Sequence, residues 1–326
     1  MSDTLETLIH RADLDDLVRH VDATCAARDW DHLVRVRDKA RAAVDTGRQL
    51  WPIATLANHR LALHAPAAIA VRALDETARA FMPGPVSEIL AVHHEWHDLA
   101  AHLPPGHDRA LVAHERSLRG DTVTDAEDRH VLDIPVVVQS WEPAYARATY
   151  DDNGLQAPPP QVSAPFTTWT APSRRVESLD DETIPAFRQM MSPWTAGSNG
   201  TARAVVVHGD ANVALAALGL ESVRTAEITP ADALAHLAWA AASGGAHGRR
   251  RGAATGRSEA WWLLAVFTGM DDPWPTDPDV FGEVVTALEC HAITDDKAPT
   301  VGWGLGLVLV DRDEGFSVAL WARDAV

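Results

Sequence analysis

The chain has 326 residues, 46% of them hydrophobic, and 28 basic against 46 acidic side chains give it a net charge of −18. This is enough apolar material for two ordinary domains and excludes a chain disordered throughout. The charge opposes wide contact with nucleic-acid phosphates or anionic lipid.

The acidic start, "MSDTLETLIHRADLDDLVRH", lacks the basic and apolar regions of a signal peptide and is expected to be a mature amino terminus. From Asp3 to about Arg147 apolar residues recur at three- and four-residue spacing, so residues 1–150 are expected to form an all-helical domain. "WDHLVRVRDKARAAVD", "WPIATLANHRLALHA", "PAAIAVRALDETARAF" and "VSEILAVHHEWHDLAAHL" read as successive helices, packed as a bundle or a HEAT-like stack.

The last of these carries a row of histidines. His93 and His97 have the i, i+4 spacing of zinc-hydrolase ligands, but the position four after His94 is Asp98, so the H-E-x-x-H pattern fails. Ile89, Val92, Trp96, Leu99 and Leu103 trace an apolar stripe with His94 opposite it, and a solvated helix face is the preferred reading. No metal is expected; His93 and His97 are the candidates if there is one. In "AHERSLRGD" (113–121), Arg116 and Arg119 before Gly120 read as a capped helix end, with a buried acid–base pair as the alternative.

Residues 151–200 open with "DDNGLQAPPPQVSAPF" and hold seven prolines, the composition of an extended interdomain connection. Trp169 and Trp194 are expected to anchor parts of it, because an indole left in water forfeits a large burial gain.

Residues 201–326 read as a small α+β domain. "ARAVVVHG" and "SVRTAEI" are strands on either side of the helix "ANVALAALG", for which Asp210 is the expected cap. Thr229, Pro230 and Asp232 open a helix that runs to the loop "SGGAHGRRRGAATGR" (243–257). Ser258 and Glu259 are expected to start the next helix, and another should span about Val280 to His291, where adjacent Cys290 and His291 would point about 100° apart and make a weak dyad. "GWGLGLVLV" and "FSVALWARD" around an acidic turn form a closing hairpin.

The arginine and glycine loop is the main candidate site. Arg249, Arg250, Arg251 and Arg257, with Ser258 at a helix start, could hold an external anion through paired hydrogen bonds and free amides. The preferred reading is internal: outside this loop, residues 151–326 carry 23 acidic and 8 basic side chains, so the arginines have carboxylates of their own domain to meet. "VVVHGDAN" (205–212) lacks the dinucleotide and P-loop glycine patterns, and G-x-S-x-G is absent.

Cys25 and Cys290, the only two cysteines, are far apart and form no scaffold; a reducing cytoplasm suits them, and no cofactor is expected. No run of eighteen apolar residues occurs, so no membrane span is expected. Lysine occurs only at Lys39 and Lys297, and this arginine bias, with abundant alanine, suggests a GC-rich bacterial genome. Three segments, "LAHLAWAAASGGAHGRRRGAATGRSEAWWLL", "AHERSLRGD" and "WEPAYARATY", resemble segments of an uncharacterised family of proteins from GC-rich actinobacteria. The resemblance implies a bacterial cytoplasmic protein and transfers no activity.

The leading expectation is a non-enzymatic binding or adaptor protein, its partner either a protein or a small anionic ligand. An enzyme or sensor holding a phosphorylated small molecule at the arginine loop comes next, and a metal-dependent hydrolase at His93 and His97 third.

Overall fold

The computed structural model describes residues 2–75, 82–123, 131–170, 176–220, 222–295 and 302–325. Its contacts divide the chain into two units, one of residues 1–123 and 148–156, the other of residues 124–147 and 157–326. The class is α+β, as the alternation of patterns predicts.

The first unit begins with helices α1 (Ser2–Arg11), α2 (Leu14–Ala26), α3 (Trp30–Asp45) and α4 (Trp51–His64). Asp13 and Asp29 cap α2 and α3 by accepting the amides of Asp16 and His32. Helix α4 is the hub, packing on α2 and α3 and on the later segments 67–70 and 86–93. It is buried on every side, including Thr55, Asn58, His59 and Arg60. It ends because Ala65 precedes Pro66 and is forced to extended backbone, at ψ 151. His64 thus falls in its last turn, where the helix dipole favours positive charge, and Arg60 lies one turn before it.

Two expected helices are corrected. Of "PAAIAVRALDETARAF", α5 (Ala67–Ala70) and a 3₁₀ turn (Val71–Leu74) form; residues 76–81 lie outside the described residues. "VSEILAVHHEWHDLAAHL" breaks into α6 (Val86–His93) and α7 (Trp96–Ala100), because His94 and Glu95 are extended at ψ 146 and 158. The break is satisfied from outside. Asp121 accepts the Trp96 amide at 2.6 Å, and Arg116 holds Asp121 by two hydrogen bonds of 2.8 and 2.6 Å. Arg116 lies near the end of α8 (His107–Ser117), so the partner of the buried acid–base pair in "AHERSLRGD" is the motif's own aspartate.

Among the described residues the helical pattern expected as far as Arg147 ends with α8 and its cap, and residues 131–147 are irregular. Residues 149–156 then form a hairpin of β1 (Thr149–Asp151) and β2 (Gly154–Gln156), turning at Asp152 and Asn153. Asp151 shapes the turn by accepting the amides of Asn153 and Gly154.

Among the described residues of the second unit, six antiparallel strands are ordered β3-β5-β6-β7-β8-β4. They are β3 (Thr167–Thr170), β4 (Thr201–His208), β5 (Ser222–Ile228), β6 (Glu289–Thr294), β7 (Gly302–Asp311) and β8 (Phe316–Ala325). Alternation of side chains gives the sheet two apolar faces. On one, Val207, Val223, Ile293, Val308, Ala319 and Trp321 cluster with Leu215 and Leu218 of α11 (Ala211–Leu218), the helix that Asp210 caps. On the other, α12 (Pro230–Ser243) packs against β6 and β7, and α13 (Ala253–Phe267) against α12. Within the proline-rich stretch lie β3, α9 (Thr183–Met190) and α10 (Ser192–Thr195). Trp194 in α10 is fully buried and donates to the Ala240 carbonyl and the Ser243 hydroxyl.

The helix expected over 280–291 is instead α14 (Pro278–Ala287) followed by β6, so Cys290 and His291 lie on opposite faces of a strand. Pairing of β6 with β5 on one side and β7 on the other overrides the local helical spacing here.

Candidate functional site

In the second unit the arginine loop is packed, not open. Its backbone turns back on itself, the Arg251 amide meeting the Ala242 carbonyl at 2.8 Å. Gly245 sits at φ +82, and a Cβ there would fall 2.3 Å from the Asp324 carboxylate, which accepts the next amide, Ala246. Only glycine allows that approach.

Arg257 is completely buried, and its partner Glu142 has no exposed side-chain surface either. Glu142 accepts Arg257 Nε at 2.7 Å and Nη2 at 2.6 Å, Trp261 Nε1 at 3.0 Å, the Tyr145 hydroxyl at 2.5 Å and the Gln139 amide at 2.7 Å. The remaining guanidinium donors reach the carbonyls of Pro135 and Val137. Burial disfavours the Arg257 charge, but the Glu142 carboxylate outweighs it and the pKa is raised. Ser258 lies inside α13, which starts at Ala253, five residues before the expected start. Its hydroxyl donates to the Leu132 carbonyl, so it offers no helix-end amide to a ligand.

Arg257 and Ser258 therefore pin residues 132–142 to α13. Of the other arginines, Arg251 pairs with Glu259 at 2.6 Å, Arg250 is buried and Arg249 is half-buried. Arg251 and Arg257 thus meet carboxylates of their own unit.

The break at His94 separates His93 and His97 onto different segments. His93 Nε2 bonds the Tyr150 carbonyl at 3.1 Å, while His97 is exposed between Glu95 and Asp98. No group of three potential metal ligands occurs among the described residues. His94 is half-buried, not opposite the core, and its Nε2 has no hydrogen-bond partner among the described residues.

The first unit contains a different arrangement, a cavity of about 690 Å³ lined by Asp22, Cys25 and Ala26 of α2, Arg28 and Trp30 beyond it, Arg60 and His64 of α4, Pro66, and Asp152. One oxygen of Asp152 accepts both Arg60 Nη1 and, at 2.7 Å, His64 Nε2. Arg60 Nη2 lies 3.4 Å from Asp22. The Arg60 side chain is 11% exposed and that of Asp152 55%.

This ion pair opens onto the cavity. Burial raises the Asp152 pKa, but the His64 hydrogen bond and the Arg60 charge more than offset it, leaving the carboxyl below its ordinary range. Burial also pushes the Cys25 thiol up. Just behind, His59 is buried with Nε2 unpartnered among the described residues, and burial lowers its pKa to about 4.

The hairpin that brings Asp152 here is anchored at its base. The buried Tyr150 hydroxyl donates to Glu88 at 2.5 Å, and its ring occupies the space where a Cβ on Gly84 would sit. Sequence reasoning missed this site. The Asn153-Gly154 pair between Tyr150 and Leu155 was its available signal.

A larger depression, of about 1110 Å³, lies in the second unit at the ends of β5 and β6. Of the three acids that line it, Glu289 is already taken by His291 at 2.7 Å and by Arg312, and Asp232 by the cap of α12, which leaves Glu227. The smaller cavity offers the stronger ligand chemistry, because an almost buried guanidinium there depends on a half-exposed partner.

Among the described residues, no helix is long and apolar enough to cross a membrane. A family model described as "Family of unknown function (DUF6183)" matches residues 15–325, and the chain belongs to that family. No curated protein and no solved structure matches the chain.

Proposed function

We propose that this member of the DUF6183 family acts by binding, and that its helical unit holds a small polar molecule in the cavity between α2, α4 and the β1–β2 hairpin. The observation that carries the reading is the Arg60–His64–Asp152 cluster, charged, nearly buried at Arg60 and open to the cavity at Asp152. The volume of about 690 Å³ suits a metabolite-sized ligand.

Binding is favoured over catalysis because the thiol on the cavity wall is held in its protonated, weakly nucleophilic form. The His64 nitrogen that faces Asp152 is also committed to it. The arginine loop has less support as a ligand site, since Arg257 and Arg251 already meet carboxylates. Two separated cysteines and the arginine bias support a bacterial cytoplasm as the setting.

Thermal melts against a panel of small carboxylates, phosphates, amines and polyols test the reading, since a ligand that binds only the folded state raises Tm. We expect saturable stabilisation by one class, lost in the Arg60→Lys and His64→Gln variants but kept in Arg251→Gln. A panel in which no class stabilises the wild type would remove the proposal.

A further inference from the structure

We infer that Arg60 and His64 form an oxyanion site, that Asp152 is the chain's own occupant of it, and that the molecule bound carries a compact carboxylate or phosphate group. The inference rests on the binding reading above and names the ligand's chemistry.

The donors show the preference. Arg60 and His64 lie one helical turn apart on α4 and converge on a single oxygen, Oδ1 of Asp152. Two charged or polar donors aimed at one oxygen are the arrangement that recognises an oxyanion. The second arm of the Arg60 fork is only loosely held, at 3.4 Å from Asp22, beyond the usual range for a strong N–H···O bond. A ligand with two oxygens could take both arms.

Burial divides the roles. Arg60 is 11% exposed and cannot leave, whereas Asp152 is 55% exposed at a two-residue turn. The hairpin does not depend on that carboxylate: its base is fixed by Tyr150 on Glu88 and by His93 on the Tyr150 carbonyl, and its turn by Asp151. Rotation of one side chain would clear the site.

Charge then selects the ligand. With Asp152 in place the cavity wall carries two carboxylates and two guanidinium groups; with Asp152 turned out, Asp22 alone faces Arg28, Arg60 and His64. The local field then favours an anion. The ligand competes with Asp152, so its apparent affinity is reduced by the fraction of time the carboxylate occupies the site.

Cys25 reports on the cavity it lines. Cys290 is 2% exposed and its thiol is pushed up to about 12, so in a chain carrying Cys290→Ser, at mildly alkaline pH to ionise more of the raised Cys25 thiol, a neutral alkylating reagent reads Cys25 alone. The test measures iodoacetamide modification of the intact chain against increasing inorganic phosphate, acetate or ethylamine at constant ionic strength, each variant normalised to its own unprotected rate. We expect saturable protection by phosphate or acetate, the better of the two identifying the group. In Asp152→Asn and in Asp152→Ser, half-protection should come at about tenfold lower anion concentration. Equal or weaker anion protection in both variants overturns the inference. Protection by ethylamine alone would also overturn it while leaving the cavity as a binding site, and no protection by any probe would count against both.

Discussion

Arg257 with Glu142 and Arg60 with Asp152 are the same chemical pair in two settings. The first is sealed, 0% exposed on both sides, and every oxygen of the acid is met by a donor. The second joins an almost buried cation to a half-exposed acid at the edge of a cavity. A sealed pair holds structure in place, because nothing outside can compete for its charges. An open pair can exchange its exposed member, which makes it suitable for binding.

The largest effect separating the two should come from Glu142→Gln. It keeps the size of the side chain but strands the Arg257 charge, and breaking a buried pair costs about 3–5 kcal/mol. Denaturant unfolding should show that loss, against about 1 kcal/mol or less for Asp152→Asn, whose pair is reached by water. Equal losses in the two variants would abolish the distinction between sealed and open.

Acid should act next, and on the helical unit. His59 has a folded pKa of about 4, below the ordinary value of 6.5, so the unfolded chain binds the proton first. Stability is therefore full above pH 6.5 and falls as pH drops toward 4, by roughly 3 kcal/mol from this one group. Burial depresses His20, His93 and His94 of the same unit in the same direction, against His236 in the other. Unfolding at pH 7 and pH 4.5 should show the decline in wild type and a shallower one in His59→Gln. The same slope in both would take His59 out of the effect.

The smallest effect belongs to Arg251→Gln. Its pair with Glu259 is 29% and 26% exposed, so about 1 kcal/mol or less is expected in the same denaturant measurement, shrinking at high salt. A loss as large as that of Glu142→Gln would mean that the loop is held by Arg251 as well.

Much of the second unit could be read locally. The Thr229, Pro230 and Asp232 cap, the Asp210 cap and the closing strands all form where residue type and spacing place them. What escaped was set by distant partners. Asp121 makes the break before Trp96 tolerable from 25 residues away, and pairing of β6 with both β5 and β7 turns Cys290 and His291 into strand. The arginine-rich loop was visible as a charge anomaly, yet Glu142, 115 residues earlier, decides what Arg257 does. The cavity escaped for the same reason. Arg60 and Asp152 are 92 residues apart, and neither stands out from its neighbours in sequence.

Hydrogen exchange on the intact chain, with and without saturating inorganic phosphate or acetate at matched ionic strength, separates the open pair from the arginine loop most directly. An oxyanion site at Arg60 and His64 predicts added protection in α2, the end of α4 and the 149–156 hairpin, with residues 243–257 unchanged. Protection confined to 243–257, with α4 and the hairpin unaffected, would contradict it and return the binding site to the arginine loop.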